Sequence, residues 1–287
     1  MTDLMDFLAA LPLVGNGLAA CLVCAILGAV LGIHVILRRI VFVSAAISQI
    51  SSLGLALALF VPAIVGFSQS LPEAGTPSLL NVPGLAVVTL TLAAAGLFAM
   101  RSSERRIPRE SVIGIAYVLS AGLVLLILDR LSGETHLLDT MLFGNTVFVS
   151  TPQLILLTVV AAGLLGVHAL CFNAFISIAF DRETAGAAGL PVRVYELIFY
   201  ATLALALVTA VSSIGMLPVF GYMVMPAATA LMMTDRIRLA VALAVMVGLL
   251  SALLGFYASF VYDLPTGPAM LAVAGIMMLP GIVFRKR

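Results

Sequence analysis

The chain has 287 residues, of which 63% are apolar and only 9% charged, with a formal net charge of +1 and a mean hydropathy of +1.23. A water-soluble domain of this length carries about a quarter charged residues, so a soluble enzyme or binding module is excluded and the medium around the chain is lipid. So balanced a charge gives no reason to expect a nucleic-acid partner.

The N-terminus carries Asp3 and Asp6 and no early Lys or Arg, so a cleaved export signal is not expected. Charge-free runs then follow one another at residues 7–37, 40–72, 74–100, 111–128, 140–180, 197–234, 239–262 and 264–284. A helix needs about 20 apolar residues to cross the hydrocarbon. These runs lack the alternation of a barrel strand, and in lipid each backbone polar group must be paired within its own segment or a closed barrel. The expected fold is all-α, a polytopic transmembrane helical bundle forming one domain over residues 1–287. Cys21 and Cys24 lie inside the first run, where packing is the expected role.

Basic residues decide how the two longest runs divide, because Lys and Arg gather on the cytoplasmic side of short loops. A break near residues 212–218 turns the run 197–234 into a hairpin, while 140–180 crosses once with its first dozen residues at the outer surface. Thirteen of the fourteen basic residues then face the cytoplasm and only Arg130 faces out. The N-terminus lies outside and the C-terminus inside, with about nine crossings, or eight if the first segment only lies in the membrane. Pro218, Gly221 and Pro226 mark the expected broken helix.

Energy coupling is the next constraint. The only lysine is Lys286, so no P-loop lysine exists to hold a nucleotide phosphate. No cofactor is expected on this chain, and any ATP must be used by a partner. The three histidines do not form a metal site by spacing. His168 is expected as a neutral imidazole hydrogen-bonded between helices, His34 as an interfacial residue beside Arg38, and His136 as part of a solvated loop.

The segment Phe180-Asp181-Arg182-Glu183-Thr184-Ala185-Gly186-Ala187-Ala188-Gly189-Leu190-Pro191-Val192 resembles the F-D-x-E-x-A-x-x-x-G-L-P-V string of the ABC-3 family of zinc and manganese import permeases, of the vitamin-B12-type importer fold. Gly215, Pro226-Ala227-Ala228-Thr229-Ala230 and Thr234-Asp235-Arg236 are similar to a second family stretch. Asp263-Leu264-Pro265-Thr266-Gly267-Pro268 and Leu142-Phe143-Gly144-Asn145 resemble two more, and the likeness runs over about residues 13–279.

The resemblance implies a permease subunit, not itself an enzyme, of an ATP-driven importer for divalent transition-metal ions in a bacterial inner membrane. It implies a homodimer embedded in membrane lipid, with an ABC ATPase subunit and a periplasmic or lipid-anchored solute-binding protein. In the family, cytoplasmic loops dock into the ATPase, which points here to Asp181, Arg182, Glu183 and Arg193 and to Thr234, Asp235 and Arg236.

One part of the sequence departs from the family. Where the second helix typically reads R-R-x-x-x-x-G-D-A-x-S-H-A, Ala45 replaces the carboxylate and Gln49 the imidazole, which removes the ligands that would draw in a bare Zn²⁺ or Mn²⁺. Ser44, Ser48, Gln49 and Ser52 still give the helix a polar face. That face suits either a transport path or close packing by small residues, and cargo other than a bare ion, a chelate or another small polar solute, stays open. A secondary carrier that works without ATP is a further alternative from a different class.

Overall fold

The computed structural model describes residues 2–65, 82–100, 109–130 and 149–283. Eleven helices occur among them: α1 (Thr2–Leu37), α2 (Val41–Val65), α3 (Val82–Met100), α4 (Arg109–Arg130), α5 (Thr151–Leu170), α6 (Phe172–Phe180), α7 (Arg182–Ala187), α8 (Val192–Ile214), α9 (Met216–Met233), α10 (Ile237–Tyr262) and α11 (Thr266–Val283). Seven are long and apolar enough to cross a membrane, and α3 and α11 contribute two shorter apolar stretches. The chain is a multi-pass membrane protein built as a helical bundle, and these nine helices agree with the eight or nine crossings read from the sequence.

α1 is the hub. Its 36 residues span about 54 Å, more than the roughly 30 Å of hydrocarbon, and it packs against α9, α10, α5 and α8. Cys21 and Cys24 are buried and free on this helix, which fits the packing role. At its first turns Phe7 stacks edge-on against Phe256, Tyr257 and Phe260 of α10. Further along, Gly28 and Gly32 bring the α1 backbone against Tyr222 and Met223 of α9. Without a hydrophobic force between helices in lipid, such small-residue faces let dispersion and close contact hold a bundle together. α2 packs on α3 and α4, α3 on α8, and α11 on α9 and α10.

The expected hairpin is present, with its break at Gly215 (φ 85°, ψ 163°). Gly215 lies within the stretch 212–218 expected to break, whereas the broken helix expected at Pro218, Gly221 and Pro226 is not found: α9 runs unbroken through all three. Pro218 falls in the first turn, where backbone N–H groups lack intrahelical partners anyway, and the turn is made instead by the one residue type at home in that backbone region.

Alternation of the helices along the chain puts the α1–α2 corner, residues 181–191 and residues 234–236 at one end of the bundle. Gly215 and residues 263–265 fall at the other. The α1–α2 corner closes with Arg39 in the left-handed region (φ 56°), Ile40 N–H donating to the Val35 carbonyl and Arg39 N–H to Ile36, the paired bonds of a Schellman C-cap. Across the bundle, Asp263 (φ 51°) caps α10. There Ser259 donates to the Leu264 carbonyl at 2.6 Å and shares a 3.0 Å hydrogen bond with Thr266. This closes the Asp263–Pro268 motif into a tight corner. Residues 142–145, the remaining motif, lie outside the described residues, as do His136 and the basic residues 101, 105, 106 and 285–287.

Candidate functional site

The most specific motif in the sequence folds into α7 and its two borders. Asp181 is the N-cap: its carboxylate accepts the N–H groups of Glu183 (2.9 Å) and Thr184 (3.1 Å) and the Thr184 hydroxyl, satisfying donors the helix itself cannot. These bonds, the Thr184 hydroxyl first, hold the Asp181 carboxyl below the usual carboxylate range. At the other border Gly189 takes φ 87°, with Leu190 N–H donating to Ala185 and Gly189 N–H to Gly186, and Pro191 follows. Aspartate, glycine and proline in the motif thus mark a start, a stop and an exit.

Among the residues expected to dock a partner, Glu183, Arg193, Asp235 and Arg236 are exposed at this end of the bundle. Thr234 is half-buried, and its hydroxyl accepts the Arg236 N–H at 3.2 Å, shaping the turn into α10. Arg182 is exposed at the same end and also forms an ion pair within the chain. Its guanidinium Nη2 lies 2.9 Å from Oε2 of Glu196 on α8, and the Glu196 side chain is only 8% exposed. Sequence reasoning missed Glu196, because it stands fourteen residues from Arg182, at the border of a charge-free run, with no helical-repeat spacing to link the two.

Just inside the bundle, the same end carries an aromatic and imidazole cluster. His34 and His168 rings lie 5.2 Å apart among Phe172, Phe175 and Phe199, and the Arg38 guanidinium sits 4.1 Å over the Phe199 ring, a cation–π arrangement. Thr202 donates its hydroxyl proton to the Phe199 carbonyl, so at its 3.0 Å contact with His168 it accepts the Nε2–H. His168 therefore bridges α5 and α8, as the sequence suggested. His34, in the last turn of α1, is fully buried within the protein; its Nδ1–H donates to the Val30 carbonyl at 3.0 Å.

The polar face of α2 is coherent. Ser44, Ser48, Gln49 and Ser52 are all buried, with Ser51 beside them. Ser44 donates to the Val41 carbonyl at 2.6 Å and Ser52 to the Ser48 carbonyl at 3.2 Å, while the Ser52 hydroxyl also lies 4.0 Å from the Met216 sulfur. The buried Ser48 hydroxyl has no hydrogen-bond partner among the described residues. α2 as a whole packs on α3 and α4 and, less extensively, on α8 and α9, and Ala45 is the half-buried member of the face. No group of three or more His, Cys, Asp or Glu that could hold a metal ion occurs among the described residues.

Comparison with known proteins adds to this geometry. The sequence matches the ABC 3 transport family over residues 10–285. It is similar to the manganese transport system membrane protein MntC of Halalkalibacterium halodurans, at 26% identity over 100% of this chain and 92% of that protein. The protein of the same name from Listeria monocytogenes is 28% identical over 71% of this chain and 72% of its own length. Among solved structures, PsaBC from Streptococcus pneumoniae in complex with Fab shares the fold, with a TM-score of 0.80 at 22% identity over 97% of this chain and 95% of that one.

Proposed function

This chain belongs to the ABC 3 transport family, and we propose that it is the membrane permease of an ATP-driven importer for divalent transition-metal ions, of the manganese or zinc kind, in a bacterial inner membrane. The observation that carries the reading is the family match along almost the whole chain, with relatives named for manganese transport matched over 100% and 71% of it. Two copies work with two ATPase subunits and a periplasmic or lipid-anchored binding protein. α7, with exposed Glu183, and the loop bearing Asp235 and Arg236 dock into the ATPase, and closure of the ATPase pair moves the helices. The α2 face bearing Ser44, Ser48, Gln49 and Ser52 borders the transport path.

A second reading, a metal chelate or another small polar solute as cargo, is favoured by one observation. Where a divalent ion would meet a carboxylate and an imidazole one helical turn apart, this chain offers Ala45 and Gln49, neither of which is a strong ligand for a bare Zn²⁺ or Mn²⁺.

Uptake of Zn²⁺, Mn²⁺ and Fe²⁺ into vesicles holding the permease, its ATPase and its binding protein separates the two, run beside an Ala45→Asp, Gln49→His double variant. ATP-dependent uptake of a divalent ion by the native protein supports the first reading and places selectivity in the capture protein. Uptake by the double variant alone supports the second, and uptake by neither overturns the metal-ion reading.

A further inference from the structure

We propose that Glu196 is the positioning residue through which the coupling helix α7 moves α8, and that α8 passes this motion to α2 through Arg38 at the α1–α2 corner. This rests on the permease reading above and deepens it. Asp181 caps its own helix, and its carboxylate hydrogen bonds to Glu183 and Thr184 stay within α7. The Arg182–Glu196 pair instead joins the first residue of α7 to the α8 wall.

Glu196, Phe199 and Thr202 follow one another at intervals of three, which keeps them near one face of α8. Each makes a polar or charged contact to a different element. Glu196 holds α7. The Phe199 ring carries the Arg38 guanidinium and packs on Phe175 of α6 at 5.6 Å. Thr202 accepts from His168 of α5, and nearer the far end of α8 the Gln153 amide of α5 donates to the Ser212 carbonyl at 3.0 Å.

This row makes the start of α8, α6 and the α1–α2 corner one body. Its cores interdigitate and do not deform continuously, so a push on α7 is carried along α8 and not absorbed locally. Arg38 lies two residues beyond Ile36 and three before α2 begins at Val41, which puts the far end of the linkage at the root of the helix bearing Ser44, Ser48, Gln49 and Ser52. Because Arg182 is about half exposed, removing Glu196 leaves no charge stranded in the interior, and the bundle keeps its fold.

The test compares transported ion per ATP hydrolysed in vesicles containing the complete complex, with Mn²⁺ as the probe. Glu196→Ala is expected to keep basal ATP hydrolysis while transport per ATP falls about fivefold or more, the lower range of measured site–site couplings; Glu196→Gln falls less. The exchanged pair Arg182→Glu with Glu196→Arg is expected to restore the ratio, which a purely structural role for Glu196 would not do. An unchanged ratio in Glu196→Ala, or no recovery in the exchanged pair when the complex elutes intact, overturns the linkage. A native complex that moves no divalent ion overturns the permease-for-metal reading instead, and the linkage is then read from ATPase stimulation by the binding protein, which Glu196→Ala is expected to abolish and which, if kept, refutes it.

Discussion

Placing a methyl group on Gly32 tests whether the α1–α9 interface is as tight as the structure shows. An added Cβ would lie 1.9 Å from the Met223 carbonyl oxygen, 2.8 Å from its carbon and 3.0 Å from the Ala227 Cβ. A carbon rests no closer than about 3.3 Å to a carbonyl oxygen, so α1 and α9 must part there by about 1.4 Å. The obstacle is backbone in the middle of α9, and no side chain can swing aside. One turn earlier Gly28 stands at 3.1–3.2 Å from Tyr222, so the separation loosens a second contact as well.

Overpacking of this kind costs about 3 kcal/mol, and the helix preference for Ala over Gly offsets about 1 kcal/mol of it. The expected loss for Gly32→Ala is therefore about 2 kcal/mol. Unfolding in increasing SDS, followed by circular dichroism, measures it, with Gly15→Ala as the control because nothing lies within 4 Å of a Cβ at Gly15. A Gly32→Ala protein as stable as the Gly15→Ala protein refutes the close approach.

Gly215→Ala places a side chain at φ 85°, ψ 163° and is expected to cost about 1–3 kcal/mol in the same assay, with Gly163→Ala, at an open helical site, as the neutral comparison. Thr202→Val leaves the His168 Nε2–H without its acceptor and is expected to cost about 1 kcal/mol, whereas Thr202→Ser keeps the bond and most of the stability. Asp181 has a carboxyl held below its ordinary value of 3.8. Its capping contribution is therefore complete above that value and is lost only as pH falls through the lower folded value. Coupling of ATP hydrolysis to transport is expected to show no Asp181 titration near neutrality, and a carboxyl ¹³C titration in nanodiscs with a midpoint above 3.8 would contradict the capping geometry.

Much of the fold was legible because lipid permits so few structures: every charge-free run of membrane length had to be a helix, and the basic residues at 182 and 236 forced a turn between them. The turn's identity was harder to read. The stretch 212–218 was legible as the place of the turn, but within it nothing singled out Gly215; Pro218 sits where no backbone bond is lost, and Pro226 lies inside an intact helix. At the candidate site, Asp181, Gly189 and Pro191 announce the boundaries of α7 through local chemistry, which sequence carries well. Arg182 and Glu196 meet only because α7 folds back onto α8, and His34 meets His168 across 134 positions. Contacts of that kind are set by packing, and one sequence holds no spacing rule for them.

The clasp between α1 and α9 also has a consequence for how the protein is made. Gly32 emerges from the ribosome 191 residues before Met223, an interval of roughly 10–40 s at ordinary synthesis rates. Throughout that wait the small-residue face of the first helix sits in the membrane without its partner. The α1–α9 contact cannot close from the N-terminal half alone, so two halves split near residue 140 would have to find each other in the bilayer to regain it.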